Sequence, residues 1–431
     1  MSKAKKVLLI SYYWPPAGGA GVQRWLKMSK VITEQVELSV YHPKNADYPI
    51  SDPSLNKEVP KQIKSISLPI REPYALAKRI NPKNKNYQKG MIEDESKQSL
   101  LSKISLWVRA NLFIPDARAG WIQPSYKFLK NYLQENPQDV IISTGPPHSM
   151  HMIALKLKNT FPDLKWIADF RDPWTAIDYF DKLPLQSWAL KKHQSQEKHV
   201  LQMADAVTTV SPTWAKDLGK LGNRKVEVIY NGFDKEDFVE KHHPSDDFVL
   251  TYIGSLNADR NPKNLWTALN QLCENQEFYD DFRLRLIGSI APEVRENIAE
   301  HPLLESKTEY VAYLEHQKAV EALQESQVLL LLINQTANEN GIIPGKFFEY
   351  LAAERVIMCI GKKDSDIAQL LNDLSAGVVI NRNEKEEMLS VLSILFHEYQ
   401  NHLLNRNKKF NISTYSRKNA AFQFLKLIDK L

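Results

Sequence analysis

Two cysteines, Cys273 and Cys359, are all that the 431 residues contain. They show no CxxC spacing and have no histidine partners nearby, which excludes a disulfide framework and a thiolate zinc site and reads as two core thiols of a reduced, cytoplasmic protein. Also missing is any apolar run of the ~18 residues that a spanning helix needs. The opening "MSKAKKVLLISYYWPP" has the lysines of a secretory leader, but its apolar run is short and meets prolines instead of a small-residue cleavage site, so it reads as a first strand. Glycine is sparse, at 15 residues, yet Gly18, Gly19 and Gly21 crowd into "SYYWPPAGGAGVQRW".

The length exceeds the usual single domain of roughly 100–200 residues and predicts two. Hydrophobic residues at 43% and charged residues at 25% are ordinary for a globular protein. The net charge of +5 is unevenly spread: residues 1–120 hold 20 Lys+Arg against 10 Asp+Glu, and the remainder is acidic. The basic excess is densest at 71–90 and is followed by a helical pattern in which Leu101, Ile104, Trp107, Val108 and Leu112 recur. Such a stripe can face the protein's own core, or residues 71–113 can form a peripheral contact with a membrane. No nucleic-acid recognition module is present.

Short β-branched runs alternate with helical patterns, the signature of parallel sheets covered by helices. One series comprises "VLLIS" (7–11), "VELSV" (36–40), "IKSISL" (63–68), "DVIIS" (139–143), "KWIAD" (165–169), "AVTTV" (206–210) and "VEVIY" (226–230). A second comprises "FVLTYIG" (248–254), "LRLIG" (284–288), "TEYVAY" (308–313), "VLLLLI" (328–333), "RVIMCI" (355–360) and "GVVI" (377–380). The prediction is an α/β chain of two Rossmann-like domains, 1–234 and 248–414, joined by a polar linker at 235–247. A final amphipathic helix, 415–431, would cross back to the first domain. In doubly wound sheets ligands bind beyond the carboxyl ends of the strands, and the two sheets are expected to face across one cleft.

The chemistry-bearing residues do follow strands. Gly18 and Gly19 stand between the first strand and a helix expected at Val22–Ile32, where bare backbone and helix N–H groups suit an anion. The dinucleotide fingerprint is not met, because Arg24 occupies the place of its third glycine. Gly254 and Ser255 allow close approach after "YIG", with Arg260 and Lys263 as cations for a diphosphate. In "GIIPGKFFEYLAAERVIM", Lys346 can meet phosphate and Glu349, expected on the first helical turn, can accept from ribose hydroxyls. Asp169, Arg171 and Asp172 in "DFRDPW" either form an internal ion pair or orient an acceptor hydroxyl and serve as its base. His148 in "GPPHS" is a further candidate, and no metal-ligand cluster is seen.

The order and spacing of "GGAGVQRW", "DFRDPW", "VSPTWAKDL", "VIYNGFD", "YIGSL" and "PGKFFEYLAAERVIM" resemble family 4 of the retaining glycosyltransferases, the two-domain GT-B architecture. The resemblance covers nearly the whole chain. It implies a nucleotide-sugar donor, a UDP-sugar first of all, held mainly by the second domain through Gly254, Ser255, Arg260, Gly341, Ile342, Lys346 and Glu349, with Gly18 and Gly19 of the N-terminal glycine loop abutting its phosphates. It implies a glycan or lipid-linked acceptor held by the first domain, to which we assign His148, Asp169, Arg171 and Trp174. Asp172, Arg260 and Lys346 would carry catalysis, with retention at the anomeric carbon, no permanently bound cofactor and no required metal. The product would be a surface polysaccharide or glycolipid. The chain departs from the family where the first of two glutamates would stand, at Gly341; Glu339, Asn340 or the backbone N–H groups of 341–343 are the available substitutes. Two other readings follow from that departure and from the fold: a catalytically weak partner subunit, or a sugar-nucleotide epimerase of GT-B architecture.

Overall fold

The computed structural model describes residues 4–72, 100–177, 180–312, 314–404 and 412–431. The expected basic segment at 71–90 therefore lies outside the described residues from 73 onward. The chain divides into two compact units, Met1–Asn231 with Arg417–Leu431, and Gly232–Ser416.

The first unit holds strands β1 (Lys6–Ile10), β2 (Glu37–Pro43), β3 (Lys64–Leu68), β4 (Val140–Gly145), β5 (Lys165–Phe170), β6 (Ala206–Thr209) and β7 (Glu227–Val228). They form one sheet in the order β3-β2-β1-β4-β5-β6-β7, with every pair parallel. Because side chains alternate across a strand, the run Val7–Ile10 feeds two cores. Leu8 and Ile10 join Ile141, Trp166 and Phe170 on one face, while Val7 and Leu9 join Val140, Ile142 and Ile167 on the other. The last helix, Arg417–Lys430, lays Ala421, Phe424 and Ile428 on the second of these faces. Its Phe424 ring meets Trp25 at 4.7 Å, and Lys5 Nζ donates to its Ile428 carbonyl at 2.7 Å.

The second unit holds β8 (Phe248–Ile253), β9 (Phe282–Ile287), β10 (Thr308–Val311), β11 (Val328–Leu332), β12 (Val356–Ile360) and β13 (Gly377–Ile380). Their order is β10-β9-β8-β11-β12-β13, again all parallel. Both sheets reverse strand order beside their first strand, the arrangement that opens a ligand crevice at its carboxyl end.

Residues 235–247 correct the expected linker. Phe233 and Phe238 are buried and pack edge to face, Ser245 N donates to the Glu325 carbonyl at 2.8 Å, and Gln324 Nε2 donates to the Glu240 carbonyl at 3.1 Å. Burying two phenylalanines ties this polar stretch to the second unit. In the helix Leu100–Leu112, Ser102, Leu106, Ala110 and Asn111 are buried while Ile104, Trp107 and Leu112 are exposed, so the expected stripe does not face the protein's own core.

Candidate functional site

In the second domain the site begins where β8 ends. Gly254 has φ +127, and a Cβ there would lie 2.7 Å from Lys346 Nζ. Behind it Gly288 has φ +117, and a Cβ would strike the Gly254 carbonyl at 2.4 Å. Both positions need glycine, since L side chains rarely adopt this backbone. The space goes to Lys346, the second residue of the helix Gly345–Ala352. Its Nζ donates to the Ile253 carbonyl at 2.7 Å and to Tyr252 Oη at 3.2 Å, and lies 4.2 Å from the Tyr252 ring centre. Burial draws the Lys346 pKa below the ordinary lysine value; Tyr252 and Glu349 oppose that shift and Arg260 adds to it.

Arg260, closing the short turn Ala258–Arg260, donates from Nε to Asn334 Oδ1 and from Nη1 to the Ser255 carbonyl at 3.3 Å. Tyr252 Oη donates to that same carbonyl at 2.8 Å. Arg260 and Lys346 are thus brought together at the end of β8, each bonded to neutral oxygens, while Lys263 is exposed at the start of the helix Lys263–Leu272. Glu349 stands on the second turn of its helix rather than the first, three residues after Lys346, and so shares its face.

The loop before this helix departs from expectation. The amides of Gly341 and Ile342 donate to the Asn338 and Glu339 carbonyls at 3.1 and 3.0 Å, so neither is open to a donor. Glu339 is buried and pairs with Arg382 Nη2 at 2.6 Å, which removes it as a substitute for the missing glutamate. Asn340 Oδ1 is buried with no hydrogen-bond partner.

In the first domain Gly19, φ +78, precedes the helix Ala20–Ile32, which starts two residues earlier than expected. A Cβ on Gly18 would meet Ile50 at 2.8 Å. The helix carries no acidic residue in its first turn and no side-chain cap, leaving its N-terminal N–H groups to other acceptors. Arg171 holds this start in place: Nη1 donates to the Gly21 carbonyl at 2.8 Å, Nη2 to that of Pro146 and Nε to that of Gly145 at 3.3 Å.

Asp169 is wholly buried and faces Arg24, not Arg171. Arg24 donates to it from Nη2 at 3.1 Å and from Nε at 3.3 Å, and Trp25 Nε1, Thr144 Oγ1 and Thr208 Oγ1 also donate to it. Arg24 reaches on to the Ile229 and Tyr230 carbonyls at 2.9 and 3.0 Å. This hub, which sequence reading missed, ties the glycine-loop helix to β5 and to Ile229–Asn231 just after β7. Its signal was a charge at Arg24 between apolar Val22 and Trp25. Asp169 is accordingly withdrawn as an acceptor ligand, its oxygens being filled. Trp174 is withdrawn too: it is buried, stacks on His148 at 5.0 Å and donates to His193 Nδ1 at 3.0 Å. Arg171 spends its donors on carbonyls. His148, also buried, keeps both ring nitrogens without a hydrogen-bond partner, and burial holds its pKa well below the usual histidine range. Asp172, next to Arg171 in sequence, is half-buried.

With this geometry in view, comparison with known proteins is informative. Residues 93–237 match the model of Glycosyltransferase Family 4. That match lies on the first-domain side of the chain, from the segment before Leu100 to the turn after β7. No curated protein sequence matches the chain. Solved structures with the same fold include a sucrose-phosphate synthase from Thermosynechococcus elongatus, at TM-score 0.66 and 12% identity, covering 99% of this chain and 98% of that one. An E. coli trehalose-6-phosphate protein bound with UDP-2-fluoro glucose matches at TM-score 0.64 and 12% identity, with 99% of both chains covered. The lipopolysaccharide outer core galactosyltransferase WaaB matches at TM-score 0.59 and 12% identity, covering 99% of this chain and 100% of that one. The fold is GT-B, and residues 93–237 are similar to a glycosyltransferase family. Among the described residues no group of three or more His, Cys, Asp or Glu is arranged to hold a metal ion, and no helix is long and apolar enough to cross a membrane.

Proposed function

We propose that the chain transfers a sugar, with retention at the anomeric carbon, from a UDP-sugar to a glycan or lipid-linked acceptor, in the cytoplasm or at the inner face of its membrane. The observation that carries this reading is the pair Lys346 and Arg260 at the end of β8, set beside two glycines that admit no side chain and bonded to neutral oxygens. Two cations so placed await an anion. A diphosphate would take over Lys346 from the Ile253 carbonyl and Arg260 from Asn334, and neutralising it as it departs lowers the barrier to glycosyl transfer without covalent help from the protein. Glu349, on the same helical face as Lys346, would accept from the ribose hydroxyls. Gly18 and Gly19 would abut the donor, and Asp172 with His148 would position the acceptor hydroxyl. The UDP-2-fluoro glucose bound to the E. coli protein supports the choice of uridine.

Thermal shift against nucleoside diphosphates and UDP-sugars, with and without EDTA, tests the reading. A uridine ligand should stabilise the protein, survive chelation and lose its effect in Glu349→Ala. If no nucleotide stabilises the chain, the donor assignment falls and a partner subunit is the better reading. Interconversion of free UDP-sugar without any acceptor would instead identify an epimerase.

A further inference from the structure

The bare backbone at Gly18 and Gly19 has a neighbour from outside its own loop. The segment 50–52 pairs antiparallel with residues 16–18: Gly18 N donates to the Ile50 carbonyl at 2.9 Å, Asp52 N donates to the Pro16 carbonyl at 2.8 Å, and Ala17 bridges Ser51. Ile50 Cγ2 lies 2.8 Å from where a Gly18 Cβ would stand, and its Cδ1 lies 3.4 Å from one on Gly19. The room these glycines leave is taken by Ile50. Even so, Ile50 is 56% exposed. Its segment is held on both sides by those backbone bonds, and beyond it Ser54 N donates to Asp52 Oδ1 at 3.0 Å with Leu55 buried behind, so the outward isoleucine is a fixed feature.

Gly21 is bare for a different neighbour. A Cβ there would meet the Tyr13 ring at 3.0 Å. Tyr13 is half-buried, with the Tyr48 ring 6.2 Å away and the Arg171 guanidinium 5.9 Å from its ring centre. The tyrosines around it have engaged hydroxyls: Tyr12 donates to Glu72 at 2.7 Å, Tyr48 to the Tyr12 carbonyl at 3.2 Å and Tyr41 to Ser125 Oγ at 2.8 Å. The Tyr13 hydroxyl makes no hydrogen bond among the described residues. The glycine loop is therefore flanked by an outward isoleucine and by a tyrosine whose polar end is open. An anion is poorly served between them, because the Gly18 amide is engaged by Ile50 and Arg171 donates to the Gly21, Gly145 and Pro146 carbonyls. Methyl groups, an aromatic ring and one open hydroxyl instead match a pyranose, which has C–H faces and hydroxyl edges.

We propose that Ile50 and Tyr13 determine which acceptor the first domain takes, by gripping a pyranose of that acceptor: Ile50 lies against its C–H face and the Tyr13 hydroxyl bonds one of its hydroxyls. The inference deepens the proposed function and rests on it for the sugar's role as acceptor, but the binding itself needs no donor. The test is saturation-transfer NMR of the full chain, without nucleotide, with the methyl glycosides of glucose, galactose and N-acetylglucosamine. At least one should take up saturation, most strongly on the ring protons of one face when protein methyl groups are irradiated. Ile50→Ala should lower the affinity for that glycoside about tenfold, and Ile50→Val should restore most of it. Tyr13→Phe keeps the ring against Gly21, so the expected loss of about fivefold reports the hydroxyl alone. Saturation of no glycoside overturns the proposal, as does an affinity that Ile50→Ala and Tyr13→Phe both leave unchanged. A loss confined to Ile50→Ala and accompanied by a lowered melting temperature also overturns it, in favour of a structural role. If UDP shifts the melting temperature of the wild type and no glycoside binds, this inference falls alone; if a glycoside binds and no uridine ligand shifts it, the donor reading falls alone.

Discussion

The two sheets share one winding but end differently. At the carboxyl end of the first, the strongest charges cancel: Arg24 and Asp169 are buried against each other and every Asp169 bond is internal. At the carboxyl end of the second, Lys346 and Arg260 rest on carbonyl, hydroxyl and amide oxygens. Equivalent places in equivalent folds therefore carry different chemistry. A buried, fully bonded ion pair fixes a loop, whereas cations on neutral oxygens keep charge available for a ligand.

The sharpest way to break this comparison is to remove one carboxylate from each side. Asp169→Ala leaves Arg24 buried and unpaired, and should cost about 3–5 kcal/mol in urea unfolding. Loss of activity at unchanged stability would instead make the first cluster functional and dissolve the contrast. Glu349→Ala should cost less stability than Asp169→Ala in the absence of ligand, since Glu349 is only half-buried. It should, however, abolish the roughly 2.7 kcal/mol that a donor at about 100 times its Kd supplies, read as a lost thermal shift. Gly254→Ala tests whether the second site depends on backbone shape: positive φ and the contact with Lys346 should cost about 1–3 kcal/mol and displace the ammonium, so that uridine ligands bind more weakly.

Acid should separate the two domains further. Burial holds His148 well below the ordinary histidine value of 6.5 and His151 down to about 3, while no described histidine of the second domain is buried. A base with a depressed folded pKa takes up protons on unfolding. The stability of the first domain should therefore be full above pH 6.5 and fall as pH drops toward about 3, by up to about 1.4 kcal/mol per pH unit for each histidine. Hydrogen exchange across that range should show the loss in β4 and β5 before the second sheet, and His151→Gln should flatten it.

Much of this was legible in the chain. Each predicted strand run contains a strand; β1, β4, β11 and β12 are apolar runs buried on both faces of a parallel sheet, while β3, β7 and β10 are more polar and only partly buried. The loops singled out for chemistry do follow strands β1, β4, β5, β8 and β11. Less legible was how residues in those loops divide between structure and ligand. Asp169 and Arg171 stand two apart in "DFRDPW", yet Asp169 is claimed by Arg24, 145 positions away. Gly341 and Ile342 have amides like any others, and only their 3-10 turn shows that both are spent. The stripe of Ile104, Trp107 and Leu112 has good helical spacing, yet all three side chains are exposed while Leu106 and Ala110 are buried.

By itself, then, the sequence determined the two parallel sheets, their strands and the loops where chemistry gathers, since periodicity, apolar runs and glycine placement act over a few residues. Tertiary structure alone decided which charges are neutralised and which remain open, and which face of a helix meets solvent. Those outcomes rest on hydrogen bonds and ion pairs between residues far apart in the chain, and burial makes each such bond too costly to leave unmade.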